Sequence, residues 1–161
     1  MTFRNHAFIA LASAAALAGA AHAVPTPDYL KAAGAGDMYE KQSSQIVLQS
    51  TKNAKLRTFA NHMIKDHTTS TAEVKAAAMK SGITPKPPML MPKQATMISQ
   101  LKAAKGTARD TLYVEQQKQA HQEALATHQD YASTGDKPAL KATAAKIVPV
   151  VQSHIDMLQS M

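Results

Sequence analysis

A helical repeat between residues 56 and 77 constrains the fold of this chain more than any other feature of its sequence. Seven side chains recur there at alternating spacings of three and four, and most of them are apolar or small: Leu56, Phe59, Met63, His67, Ser70, Val74 and Ala77. Because an α-helix has about 3.6 residues per turn, the seven positions form one stripe along its length. The repeat therefore predicts a long helix that packs this stripe against a core.

Turn and capping residues place another long helix before this one. It is predicted from Asp28 to Ser50, in a run free of proline and poor in β-branched residues. Asn53 then closes a short turn and is a good N-cap for the second helix, which Ser81-Gly82 ends. The stripe of the first helix consists of small or apolar positions: Ala33, Gly36, Ser43, Val47 and Leu48.

Prolines at positions 85, 87, 88 and 92 break the helical pattern in the middle of the chain. Proline fixes its own φ angle and lacks an N–H donor, so this stretch is predicted to be an extended connector. A short helix from Lys93 to Ala104 is expected to follow it.

Two further long helices complete the predicted chain. Thr107, with Asp110 three residues later, resembles a capping box that opens the third long helix, and Gly135 ends it. Asp136 is the predicted N-cap of the last helix, which Pro149 is expected to bend. No strand-like alternation occurs in the sequence. The prediction is an all-α fold, an up-down-up-down four-helix bundle with a proline-rich connector and a short extra helix.

The N-terminus has the layout of a secretory signal peptide. Arg4 precedes an apolar run of mostly small residues, and Ala21-His22-Ala23 is a typical cleavage motif. The run is shorter than the roughly 20 residues that a membrane-spanning helix needs. We therefore expect residues 1–23 to be removed and residues 24–161 to form one domain, in the periplasm or secreted, with no membrane span after cleavage.

Composition narrows the chemistry of the chain. It contains no cysteine, which excludes disulfides, thiolate metal ligands and thiol nucleophiles. The formal net charge is +7, but lysines are spread over every segment and there is no tryptophan to stack on bases. We therefore expect a solvated basic surface and no nucleic-acid partner.

Polar residues stand on the inward stripes of all four long helices: Glu40, His67, His121 and His154. Counted from the two tight turns, Glu40 lies roughly 18 Å along the bundle, His67 and His121 roughly 21 Å, and His154 roughly 27 Å. Asp37, one helical turn from Glu40, lies roughly 22 Å along and is an alternative or additional carboxylate. The helices are therefore expected to bring three imidazoles and one or two carboxylates to similar depths.

Such a group suits one transition-metal ion, because imidazole and carboxylate are usual ligands of Zn(II), Cu(II) and Fe(II). The alternative is that each histidine is an ordinary core residue, hydrogen-bonded to a neighbouring carboxylate or backbone group. Both interpretations stay open at the level of sequence.

Other residues are weaker candidates for the site. Asp66 neighbours His67 but points about 100° away on a helix, which suits support of a ligand better than a direct pair with His67. His128, two turns from His121, has no matching ligand at its depth and is expected to be structural or to line a cleft. His62 falls off the stripe and is expected to be solvated. Three methionines around the connector are favoured as packing residues over thioether copper ligands: Met89, Met91 and Met97.

Several pieces of sequence between Tyr29 and Leu158 resemble one family. They are the stretches Gly36 to Glu40, Leu56 to Ala60, Met63 to His67, His121 to Leu125 with Tyr113 before it, and Leu140 through Pro149 to His154. Together they resemble the exported bacterial ferritin-like proteins classed as domain of unknown function 4142, which are often described as outer-membrane proteins. The resemblance implies a ferritin-like bundle and makes Glu40, His67, His121 and His154 the positions to carry over. It implies no reaction.

Two features depart from expected patterns. Ferritin-like di-iron sites need Glu-x-x-His on two helices, and no glutamate of this chain has a histidine three residues later. We therefore expect no di-iron centre and no iron storage. His128 also stands where relatives place a bulky apolar residue, which predicts a wetter core.

Three functional hypotheses follow from the sequence. The first is a non-catalytic periplasmic protein that binds a transition metal through the core histidines. The second is a structural or stress-adaptor bundle that binds an envelope protein through its basic surface or its connector. The third is a metal-dependent oxidoreductase or hydrolase, although no positioned nucleophile, general base or cofactor motif is evident. Neither the identity of the metal nor the oligomeric state follows from these patterns.

Overall fold

The structure is a computed structural model that describes residues 24–161 as five helices. They are α1 (Thr26–Leu48), α2 (Ala54–Lys80), α3 (Pro92–Ala103), α4 (Gly106–Thr134) and α5 (Pro138–Gln159). No strand occurs among these residues. The all-α class, the four long helices and the short extra helix after the connector are confirmed. The predicted signal peptide, residues 1–23, lies outside the described part of the chain.

Local chemistry accounts for several helix ends. Asn53 caps α2 as predicted, because its Oδ1 accepts hydrogen bonds from the backbone N–H groups of Lys55 and Leu56 at 3.0 and 3.3 Å. Gly82, just past α2, has a φ angle of 75°, a left-handed conformation that favours glycine and ends the helix. Gly135 follows the last residue of α4, also as predicted.

Two predicted caps are wrong, because both aspartates bond to residues far away in the sequence. Helix α4 begins before the expected Thr107 capping box, and Asp110 instead accepts a hydrogen bond from the Thr51 hydroxyl at 2.8 Å. Helix α5 has no side-chain cap, while Asp136 accepts a hydrogen bond from the Thr26 hydroxyl. Each aspartate thus ties one end of α4 to the opposite end of α1.

The four long helices form a ring in which every neighbouring pair is antiparallel. Tight turns join α1 to α2 and α4 to α5, and contacts between α1 and α4 and between α2 and α5 close the ring. The start of α1 meets the end of α4 where the hydroxyls of Thr26 and Tyr131 bond, and its end meets the start of α4 where those of Ser44 and Tyr113 bond. The start of α2 likewise lies beside the end of α5. The helix directions are therefore up-down-down-up, which corrects the expected up-down-up-down order within the confirmed bundle.

The connector and α3 explain this order. Helix α2 ends at one end of the bundle and α4 begins at the other, so the chain between them must travel the length of the bundle. The connector lies on α1, where Pro88 packs against Gly34, and α3 then packs against α1 and α4. On α3, Gln100 accepts a hydrogen bond from the Gln116 side chain of α4 at 3.0 Å. One long crossover of this kind is the connection found in ferritin-like bundles.

Two apolar clusters fill the bundle on either side of a polar layer. Towards the α1–α2 turn, the buried cluster includes Val47, Leu56, Phe59, Met63 and Tyr113. Towards the other end it includes Tyr29, Val74, Tyr131, Leu140 and Ala144. Buried polar side chains lie near the boundary of the two clusters: Asp37, Glu40, His67, His121 and His154. All seven stripe positions of α2 are buried, as the repeat predicts.

Within residues 24–161, none of the helices combines the length and the apolar character that crossing a membrane requires.

Candidate metal centre

Three histidines from three different helices meet in the polar layer. His67 lies on α2, His121 on α4 and His154 on α5, and none of the three is more than 5% exposed. Their ring centroids are 5.3 to 5.7 Å apart. One nitrogen from each ring lies within 4.8 Å of the other two. The fold therefore brings together the three imidazoles that the sequence placed at similar depths, including His154, whose expected depth differed most.

Each imidazole is held through one of its two nitrogens. His67 Nδ1 donates a hydrogen bond to Asp37 Oδ1 at 2.8 Å, and His154 Nε2 donates one to Asp66 Oδ2 at 3.0 Å. His121 Nδ1 donates to the backbone carbonyl of Gln117, one turn earlier on α4, at 2.9 Å. These bonds fix the orientation of each ring and leave its second nitrogen as a lone-pair donor.

The second nitrogen of every ring is buried and has no hydrogen-bond partner among residues 24–161. These atoms are Nε2 of His67, Nε2 of His121 and Nδ1 of His154. A buried polar atom without a partner destabilises a fold by about 1–3 kcal/mol, so three of them in one place need a physical explanation. A histidine that binds a metal through one nitrogen usually donates the other N–H to a carboxylate or a carbonyl. All three rings of the cluster have this arrangement.

Glu40, the predicted carboxylate ligand, lies beside the cluster rather than within its group of nitrogens. Its Oε1 is 3.6 Å from Nδ1 of His121, the nitrogen that already bonds to Gln117. Its Oε2 is buried with no partner in the described residues. Burial raises the pKa of this carboxyl to about 7, against the lowering effect of the His67 charge. Glu40 therefore has one oxygen available to an ion or to a proton.

Asp37 and Asp66 each accept a hydrogen bond from one histidine of the cluster. Asp37, expected as an alternative ligand, uses Oδ1 on His67 and accepts a hydrogen bond from the Thr71 hydroxyl on Oδ2 at 3.0 Å. As predicted, Asp66 does not pair with its neighbour His67. It accepts a hydrogen bond from His154 of α5 instead. Both carboxylates hold rings, and neither belongs to the three-nitrogen group.

Burial and charge act differently on the three rings. Burial lowers the pKa of His121 to about 3, helped by the nearby His67 charge. Burial also lowers the pKa of His154, in spite of its bond to Asp66. At His67 burial acts in the same direction, but the bond to Asp37 and the charges of Glu40 and the two aspartates outweigh it, so its pKa is raised. The three rings thus differ, since the pKa of His67 is raised while those of His121 and His154 are lowered.

His128 is buried elsewhere, as predicted for a structural residue. Its Nδ1 lies 3.2 Å from the Tyr29 hydroxyl, and its ring packs edge-on against Tyr29, which stacks on Tyr131. Burial lowers the pKa of His128 to about 4. His62 is exposed on α2, also as predicted.

Two cavities reach the cluster from opposite sides of the bundle. One, of about 220 Å³, lies between α1, α3 and α4, and the other, of about 190 Å³, lies between α2 and α5. His67 lines both cavities, and His154 lines the second. Met91 and Met97 line the first cavity on the side of α3, whereas Met89 is 76% exposed.

Two supporting contacts of the site were not predicted. The Gln117 carbonyl that holds His121 is a backbone group, and its role depends on the ring rotamer rather than on residue type. The pair between Asp66 and His154 depends on which helix packs beside α2, and residue spacing within one helix does not contain that information. The sequence does contain one signal for the contact of His121: this histidine follows Gln117 by four residues on the same stripe of α4.

Fold and site together define an all-α four-helix bundle with one long crossover and a buried three-histidine cluster in its polar layer. The chain belongs to the family described as "Domain of unknown function (DUF4142)", which matches residues 10–161. A comparison with curated proteins finds no match. Among solved structures, the crystal structure of a DUF305 fragment from Deinococcus radiodurans is similar, with a TM-score of 0.72 and 14% sequence identity. The similarity covers 86% of this chain and 95% of that one, and at this identity it supports the fold alone.

Proposed function

We propose that this protein binds one transition-metal ion through Nε2 of His67, Nε2 of His121 and Nδ1 of His154. The observation that carries the proposal is that each ring has one nitrogen held by an acceptor and the other buried without a partner. Neutral imidazole is a usual ligand of Zn(II), Cu(II) and Fe(II). A bound ion would use all three lone pairs at once.

The charges around the cluster also suit a cation. Asp37, Glu40 and Asp66 lie around the rings, and the hydrogen bond to Asp37 together with the charges of the three carboxylates raises the pKa of His67 against the effect of burial. A divalent ion supplies the positive charge that these carboxylates favour without protonating a ring. Metal–nitrogen bonds of about 2.0–2.1 Å in a tetrahedral site place the nitrogens roughly 3.4 Å apart, which lies within the 4.8 Å limit of the cluster.

The unpartnered donors suit a single ion better than a pair of ions. In the cluster and on Glu40 they are three imidazole nitrogens and one carboxylate oxygen, Oε2 of Glu40, whereas di-iron centres of this fold class use several bridging glutamates. Glu40 is therefore the candidate fourth ligand, or the residue that hydrogen-bonds to a water in that position. The role that fits is non-catalytic metal binding or carriage in the periplasm, where the predicted signal peptide would deliver the chain.

Equilibrium dialysis against Zn(II), Cu(II) and Fe(II) tests the proposal. About one ion per chain is expected for the wild type, and none for a His67→Ala, His121→Ala, His154→Ala variant that keeps its helical circular dichroism. His62→Ala is the matched control, because His62 is an exposed histidine of α2. Equal uptake by the triple variant and the control would sink the proposal and favour a bundle that serves as an adaptor for another envelope protein.

A further inference from the structure

We infer that the metal ion reaches the cluster through the cavity between α2 and α5, along a row of oxygen donors formed by Asp66, Ser70 and Glu73. This inference rests on the proposed function. It adds a transient divalent-cation site, here called the access row, which the three-histidine site does not include.

The access row lies on one face of α2. Its members are separated by four and then three residues, a spacing that aligns side chains along a helix. All three line the α2–α5 cavity together with His67 and His154. A cation that enters this cavity would therefore pass the three oxygen donors and meet two of the three histidines.

Exposure differs along the row, and its middle member, Ser70, is the most buried. Glu73 is exposed at the surface, and the Asp66 side chain is 26% exposed while it bonds to His154. Ser70 is only 8% exposed, and its Oγ is buried with no hydrogen-bond partner in the part of the chain that the structure describes. An unpartnered hydroxyl on this wall is a donor that can replace a water of a hydrated cation.

The charges at the mouth of the α2–α5 cavity also favour the entry of a cation. Two carboxylates, Glu73 and Asp66, line this cavity together with one lysine, Lys146 of α5. The positive charge of the lysine offsets one of the two negative charges. Carboxylates at the mouth of a cleft raise the local concentration of cations and the rate of their association. Hard or borderline divalent ions take oxygen ligands readily before they exchange them for imidazole.

The other cavity is a poorer route. An ion pair between Lys93 of α3 and Glu123 of α4 lies beside it, so the only exposed carboxylate of its lining is already neutralised. Asp37 uses both oxygens on His67 and Thr71. Glu40 lines this cavity but is only 2% exposed.

Stopped-flow mixing of the full chain with Co(II) tests the inference, because the visible absorption of Co(II) reports its ligation by histidine. At low ionic strength, Glu73→Gln is expected to slow association about threefold, since one carboxylate acts on a divalent ion over several ångströms. The number of Co(II) ions bound per chain should be unchanged. The difference in association rate between Glu73→Gln and the wild type should shrink at high salt. Ser70→Ala is expected to slow the appearance of the signal without changing its final amplitude.

Glu123→Gln is the matched control, because it makes the same chemical change beside the other cavity. An association rate equal to that of the wild type supports the α2–α5 route. Slower association in Glu123→Gln with no change in Glu73→Gln, or no change in either variant, overturns it. Failure of the wild type to develop any Co(II) signal would instead count against the proposed function, so the two failures are distinguishable.

Discussion

At the residue scale, the three imidazoles of the cluster are held by chemically different acceptors. Two rings donate to aspartates and the third donates to a backbone carbonyl, so each ring has a fixed tautomer and orientation. Bonds of this kind fix the orientation of a ring and make its second nitrogen a more basic ligand. Substitutions at the acceptors should therefore change metal affinity even though the acceptors do not bind the ion.

Asp37→Asn tests this support at His67. The amide keeps the shape of the side chain but removes the charge, so metal affinity is expected to fall about 10- to 100-fold while the helical content stays the same. Competition with a chromophoric chelator measures the affinity. Asp130→Asn, at an exposed position on α4, is the control and should bind like the wild type. Equal affinity in the two variants would show that Asp37 gives His67 no support.

His128 predicts a dependence of stability on pH that is separate from the metal site. Its pKa falls from 6.5 to about 4 in the folded protein, mainly because it is buried. Between these values the unfolded chain binds a proton that the folded chain does not, so the contribution to stability is full above pH 6.5 and is lost as pH falls to 4. Relative to His128→Gln, the wild type should lose roughly 3 kcal/mol of unfolding free energy between pH 7 and pH 4.

Urea unfolding of both metal-free proteins across this range measures the difference. Parallel pH profiles would mean that His128 is protonated as easily in the folded chain as in the unfolded one.

At the element scale, the crossover sets the architecture. The stripe of α2, the capping by Asn53 and the breaks at Gly82 and Gly135 could be predicted from the sequence, because they depend on local geometry. Helix direction could not, since a period of 3.6 residues is the same for a helix that runs up or down. The sequence predicted α3 only as a short extra helix, although this helix carries the chain back along the bundle.

The depth estimate nevertheless brought the right histidines together. His121 lies 15 residues after the first residue of α4 and 13 before its last, so its depth is nearly the same from either end. The acceptors Asp66 and Gln117 could not be assigned to rings, because their choice depends on helix neighbours and on rotamers. Three histidines on three inward stripes were therefore predictable as a group, but the atoms they present were not.

Two glycines of α1 test the packing of the crossover. A Cβ atom at Gly36 would meet nothing within 4 Å, so Gly36→Ala should raise the unfolding free energy by about 1 kcal/mol through helix propensity alone. A Cβ atom at Gly34 would lie 3.1 Å from Cβ of Pro88 in the connector, so Gly34→Ala should gain clearly less or lose stability. Urea unfolding measures both variants. Equal gains would mean that the connector does not pack on α1 in solution.

At the scale of the whole molecule, the polar layer divides the core into two apolar halves. Buried polar layers are stabilising only when their members are satisfied, and here the unpartnered atoms include one nitrogen of each cluster histidine and Oε2 of Glu40. An ion at this cluster would link α2, α4 and α5 directly and α1 through Asp37. Metal binding and the cohesion of the bundle are thus expected to be coupled.

X-ray absorption at the metal edge of the zinc-loaded protein tests the central claim most directly, because it reports the ligands of the ion itself. We expect a first shell of nitrogen and oxygen at about 2.0–2.1 Å, with the outer-shell pattern of three imidazoles. That pattern should disappear in the His67→Ala, His121→Ala, His154→Ala variant and persist in His62→Ala. A shell without imidazole, or one that contains methionine sulfur, would contradict the three-histidine site.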